Sequence, residues 1–217
     1  MRSTWIRAWI SAAGLIIAAA AVARNRVEWL LAVEEPVIDW VLDGTDTSRW
    51  DPAAIISSPA LLIIGTIAMV VVGIIFEWRI ALAVVITTLL GTILTQLLSG
   101  IVQRVPPLQD GEVGSFPSFA VVQTGVFWGL IVLMLWWLKL PRLLWQIVIE
   151  IGVVLTLIVS VRLILNGEIW PSDAIGSVLV IGLSLITAAI VFEANPAQAP
   201  WDRKARNNSE PVAGSTV

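Results

Sequence analysis

Two loops gather the residues best suited to gripping an anion: Ser115-Phe116-Pro117-Ser118 and Trp170-Pro171-Ser172-Asp173. Each opens onto a long apolar stretch, so each offers helix-opening amides, a setting that favours phosphate. Arg104 and Arg162 precede them, and a guanidinium grips phosphate through two parallel hydrogen bonds. Arg104, Ser118, Arg162 and Asp173 therefore form the candidate anion or headgroup site. Two of them also have a plainer structural role. Ser118 is placed to cap a helix after Pro117. Asp173 is placed as a helix N-terminal acid or as an arginine's ion-pair partner.

Breaking a phosphate bond needs more than binding, and here the chain is poor. It has no His, no Cys and no Tyr, which removes the usual nucleophiles and proton donors. The same lack removes the common ligands of zinc and haem, and no cofactor or metal is expected. Among nearby carboxylates, Glu168 could act as a nucleophile or, with Asp173, hold magnesium. A solvated loop carboxylate is the simpler reading of Glu168.

The elements that must position these loops are membrane spans. Hydrophobic residues make up 58% of the 217 positions and charged ones 13%, with a mean hydropathy of +0.90. A soluble domain is nearer a quarter charged, so a polytopic membrane protein follows. A net charge of −3 and a pI near 4.9 argue against a nucleic-acid partner. Apolar stretches run over 8–23, 52–76, 80–103, 113–138, 143–161 and 174–192. A helix needs about 20 residues to cross the hydrocarbon, and only the first stretch is short. Arg7 and Arg24 can extend it by snorkelling. Its basic start and Ala21-Val22-Ala23 end also resemble a signal peptide, and an uncleaved anchor is the preferred reading.

Basic residues set the orientation. With both termini cytoplasmic, Arg2, Arg7, Arg79, Lys139, Arg142, Arg203, Lys204 and Arg206 lie inside. Arg24, Arg26, Arg49 and Arg104 lie outside, which puts the motif loops on the outer face. The loop over 24–51 carries apolar residues at three- and four-residue spacing, interrupted by Pro36. It predicts short amphipathic helices at the interface. Trp50 and Trp170 at outer ends, and Trp136, Trp137 and Trp145 at inner ends, read as an interfacial belt. The polar segment 196–217 reads as a disordered cytoplasmic tail.

Three pieces in a fixed order now carry a resemblance. They are Gln103-Arg104-Val105-Pro106-Pro107, Ser115-Phe116-Pro117-Ser118-Phe119-Ala120-Val121, and Ser160-Val161-Arg162 followed by Asn166-Gly167-Glu168-Ile169-Trp170-Pro171-Ser172-Asp173. Together they resemble the signatures of the type 2 phosphatidic acid phosphatase (PAP2) superfamily. Those six-helix membrane enzymes act on lipid phosphates and polyprenyl diphosphates. The resemblance spans roughly residues 5 to 195. It implies an all-α, six-span PAP2-like bundle over 1–195 in an integral membrane protein, expected in the bacterial inner membrane. It also implies that Ala120 stands where the family has its acid His and Ile169 where it has its nucleophilic His. No Lys precedes Arg104, and Arg162 is one residue too far from Trp170 to match without an insertion. Ile169 and Ala120 have no lone pair or labile proton, so the familiar chemistry cannot run. The bulk of Phe119 and Ile169 predicts that the old pocket is closed.

Glu150 stands apart from these loops. It lies eight residues past Arg142 within the fifth span, one turn from Gln146. An ionisable group at that depth is costly and points to a function or to a helix–helix contact. Within the chain, Gln146, Thr88, Thr92, Gln96 and Ser99 are candidate hydrogen-bond partners, and a partner subunit's helix is the sharper alternative.

Three functions follow from this reading. The first is an inactive PAP2-like protein that acts by binding membrane lipids and partner subunits. It would be a subunit or modulator of a membrane complex and would hold a lipid phosphate headgroup in the old pocket. The alternatives are a stand-alone lipid-phosphate carrier or sensor, and an active lipid phosphatase with non-histidine chemistry.

Overall fold

Runs of Leu, Ile, Val and Ala broken by short polar loops leave the backbone one solution in lipid, which is the helix. The computed structural model describes residues 2–24, 28–44, 58–76, 78–108 and 114–193. The helices are α1 (Arg2–Arg24), α2 (Glu28–Gly44), α3 (Pro59–Phe76), α4 (Trp78–Val102), α5 (Phe119–Trp137), α6 (Arg142–Leu165) and α7 (Pro171–Glu193). Among the described residues, six helices are long and apolar enough to cross a membrane, all but α2.

The bundle is centred on α5, which packs against α3, α4, α6 and α7. Helix α1 lies along α7 and α4. Val84 of α4, Val122, Val126 and Leu130 of α5, and Val180 and Leu183 of α7 meet in the main core. Two of the buried hydroxyls in these helices bond their own backbone: Thr95 donates to the Gly91 carbonyl and Ser184 to that of Val180. The outward faces are apolar, as lipid requires. Ile63, Ile64 and Ile67 of α3 and Val153, Val154 and Leu157 of α6 are all exposed.

The spans match the expected ones in number and order, and differ at their ends. The fourth begins at Phe119 rather than Val113, because residues 114–118 form a loop that serves the site described below. The fifth runs on to Leu165 and the sixth opens at Pro171, a residue suited to the first helical position. In place of the expected short outer helices there is one helix over the described residues, α2, which passes through Pro36. It lays Glu34 and Ile38 inward and leaves Val33, Val37 and Trp40 exposed. The tail over 196–217 and the acids Asp110 and Glu112 lie outside the described residues.

Candidate functional site

The end of α4 is shaped to turn one side chain inward. Gln103 adopts a left-handed φ of 48° and its N–H donates to the Ser99 carbonyl at 2.9 Å, which stops the helix. Arg104 follows. Its carbonyl accepts the N–H groups of Gly114 and Ser115, each at 3.1 Å, so the loop before α5 is wrapped around this residue. Phe116 of that loop is buried against α7 at Gly176, where an added Cβ would come within 2.3 Å of the ring. Only a residue without a side chain lets the loop settle there.

The opposite wall comes from the α6–α7 connection. Gly167 at φ 63° ends α6, with its N–H on the Ile164 carbonyl and that of Glu168 on the Leu163 carbonyl. The Gly167 carbonyl accepts from Leu108, which ties the two loops together. Ile169 points into a buried cluster with Val121, Val159 and Leu163, and Ala120 packs against it. Asp173 accepts the Trp170 N–H at 3.0 Å, a carboxylate reaching back over the first turn of α7. The Trp170 indole donates to the Val105 carbonyl at 3.0 Å and lies under the Arg104 guanidinium, 5.0 Å from ring centroid to Cζ.

Between the walls sits a closed charge cluster. The Arg104 side chain is 5% exposed. Its Nη1 donates to Asp173 Oδ1 at 2.9 Å and to Ser172 Oγ, and its Nη2 donates to Glu34 Oε2 at 2.6 Å. The other Glu34 oxygen accepts the Ser172 backbone N–H at 2.8 Å. One carboxylate from α2 thus takes both the guanidinium and a helix-opening amide, the two donors that a phosphate would take. Beneath it, the Ser118 N–H donates to Ser177 Oγ, whose own proton goes to the Asp173 carbonyl.

The expected site residues divide into two groups. Arg104, Asp173 and Ser118 converge at one end of the bundle, and Ala120 and Ile169 lie beside them in one apolar cluster. Both structural roles of Asp173 occur at once, as helix N-terminal acid and as ion-pair partner. Ser118 sits at the N-cap of α5, but its side chain makes no capping bond. Arg162 does not pair with Arg104 around a shared site. It faces Glu168 at 3.9 Å, and Glu168 also accepts from Asn166. Closure comes from Ile169 and Glu34, not from Phe119, which is 41% exposed on the side of α3. Trp170 is no plain belt residue, since its indole supports the arginine. Among the described residues no cluster of acids has the geometry of a metal site.

Glu34 is the residue that sequence reasoning missed. Its signal was present: it occupies the inward stripe of α2, four residues before buried Ile38 and four after half-buried Leu30. An acid on the buried face of an amphipathic helix demands a partner.

No known family profile matches the sequence, and no curated protein does. The solved structures give a match. The crystal structure of the first transmembrane PAP2 type phosphatidylglycerolphosphate phosphatase from Bacillus subtilis superposes with a TM-score of 0.66 at 16% identity. The match covers 94% of this chain and 98% of that one. Six spans, motif loops meeting at one end and a likeness running nearly end to end give one conclusion: this chain has the PAP2 fold.

Proposed function

We propose that this protein is a non-catalytic member of the PAP2 structural class that works by binding, as a subunit or modulator of a membrane complex concerned with lipid phosphates. One observation carries the reading. The Arg104 guanidinium and the Ser172 amide are already engaged by the Glu34 carboxylate. Beside them, the position of the lost nucleophile is an isoleucine packed in hydrocarbon. A phosphoryl group would find neither an attacking atom nor a free cation there.

The test is phosphate release from purified, vesicle-embedded protein given phosphatidylglycerol phosphate, phosphatidate and a polyprenyl diphosphate. Release stays at background. Release above background that collapses in Glu168→Gln establishes the enzyme reading instead. Extraction in mild detergent supplies the second arm, in which a partner co-purifies at a fixed ratio.

A second reading, as a lipid-phosphate carrier or sensor, draws on the same cluster. The two donors that hold Glu34 suit a phosphate equally well, so a headgroup binds where Glu34 withdraws. Removing the Glu34 carboxylate then turns a closed site into a binding one.

A further inference from the structure

The Glu150 side chain makes no hydrogen bond or ion pair to any described residue. Gln146 lies one turn away and the two side chains form no bond, while Thr92 is taken by Gln123 and Ser99 by the Gly114 carbonyl. The carboxylate is exposed on the lipid-facing side of α6, among Ile147, Ile151 and Val154. It lies eight residues into α6, roughly 12 Å along the axis. That is too deep for so short a side chain to reach the boundary as a lysine does.

A cleft opens beside it. Helices α6 and α7 are joined by a short connection but diverge, and a space of about 580 Å³ lies between them over the α5 floor. Gly125 and Gly129 of α5 and Gly152 of α6 line it, together with Val153, Leu157 and Val178. The two hydroxyls in its wall, on Thr156 and Ser160, are spent on their own helix. Glu150 sits about 60° around α6 from Val153, at the edge of this cleft.

An apolar cleft alone would take any acyl chain. The carboxylate at its edge makes the demand specific, because burial in hydrocarbon rewards only an occupant that brings a donor to the same depth. A second copy brings no described cation there, only the neutral Gln146 amide one turn away. Among the described residues Arg2, Arg7, Arg24, Arg79, Arg104, Lys139, Arg142 and Arg162 all lie in loops or within six residues of a helix end. We infer that the α6–α7 cleft, with Glu150 at its edge, is the docking surface for a transmembrane helix of another protein carrying a lysine or arginine about two turns into the bilayer. This rests on the binding role proposed above and names the chemistry of the partner.

The chain has no cysteine, so one introduced at Leu143 accepts a single fluorophore. The labelled protein is reconstituted in phosphatidylethanolamine–phosphatidylglycerol vesicles with a labelled Leu/Ala transmembrane peptide bearing one Lys at the matching depth. Energy transfer reports association. The Lys peptide associates about tenfold more tightly than its all-apolar twin, a ratio near what one interhelical hydrogen bond supplies. In Glu150→Leu the two peptides become equal. Equal binding to the wild-type protein, or a Lys preference that survives Glu150→Leu, overturns the inference. Self-association that depends on Glu150 also overturns it, in favour of a second copy. Phosphate release is measured on the same vesicles. Activity there sinks the non-catalytic reading while leaving the docking result standing, so the two failures are distinguishable.

Discussion

Replacing Arg104 with methionine is the sharpest test of the closed cluster. Among the described residues the guanidinium is the only cation in it, and it neutralises two carboxylates that are themselves buried, Glu34 at 3% and Asp173 at 0% exposure. Methionine keeps most of the volume but removes the charge and the donors to Glu34, Asp173 and Ser172. Breaking a buried pair from one side costs about 3–5 kcal/mol, since it strands an uncompensated charge. Losing the cation over Trp170 adds up to about 2 kcal/mol. The sum places Arg104→Met near 5 kcal/mol. At about 2–4 °C per kcal/mol for a chain of this size, that is a fall of roughly 10–20 °C in midpoint. The triple variant Arg104→Met, Glu34→Gln, Asp173→Asn removes the stranded charges too, and regains about 2 kcal/mol or more of the loss. Unfolding is followed by tryptophan fluorescence in bicelles, with the single and combined variants set out as a cycle. An Arg104→Met protein within about 0.5 kcal/mol of wild type would refute the reasoning. So would a triple variant whose loss equals the sum of its parts, because the three groups would then not act as a unit.

Other perturbations probe neighbouring parts of the same end. Glu34→Ala frees the Nη2 of Arg104 and the Ser172 amide, so phosphatidate in nanodiscs binds the variant at least about tenfold more tightly than wild type. Flotation with labelled lipid reads this, and unchanged binding removes the carrier reading. Ile169→Ala opens a cavity among Val121, Val159 and Leu163 and destabilises by about 2–5 kcal/mol, whereas Ile169→Val costs about 0.5–1.5 kcal/mol. A loss under about 1 kcal/mol for the alanine would show that this site is not packed as described. Gly176→Val drives a branched side chain into Phe116, so the 114–118 loop lifts from α7. The measurable sign is faster proteolysis at that loop with the spans still intact, and unchanged cleavage counts against the clamp.

Much of this architecture was legible because lipid enforces it. A run of about 20 apolar residues has one stable form in hydrocarbon, so the spans followed from composition. Their ends did not. Hydropathy extended the fourth span back to Val113, whereas the backbone of 114 and 115 is committed to the Arg104 carbonyl. The motif order predicted that Arg104, Ser118 and Asp173 would meet, since alternating spans return each loop to the same end. Arg162 was misplaced because a residue on the last turn of α6 follows that helix's rotation, and this points it to Glu168. Glu34 was missed for a different reason: its place on the inward stripe of α2 demanded a partner, but Arg104 and Ser172 stand 70 and 138 positions away, and local pattern names no partner over that distance.

The two acids that matter most, Glu34 and Glu150, define what kind of protein this is by contrast. Glu34 lies in a helix outside the six apolar spans yet is buried and doubly bonded, while Glu150 lies in a span yet its side chain is exposed and unbonded within the described residues. The first spends its charge inside the fold, and it does so on the donors that would otherwise receive a phosphate. The second has no outlet inside the fold, and a lipid-facing carboxylate two turns deep persists at a cost unless something outside answers it. A protein built to process a lipid headgroup would show the reverse pattern, with its cation open at the motif end and its spans uniformly apolar. Here polarity is withdrawn from the motif end and presented sideways. The binding role proposed above puts recognition at the flank of the bundle rather than in the pocket, and the peptide experiment at Glu150 measures whether that flank discriminates by charge.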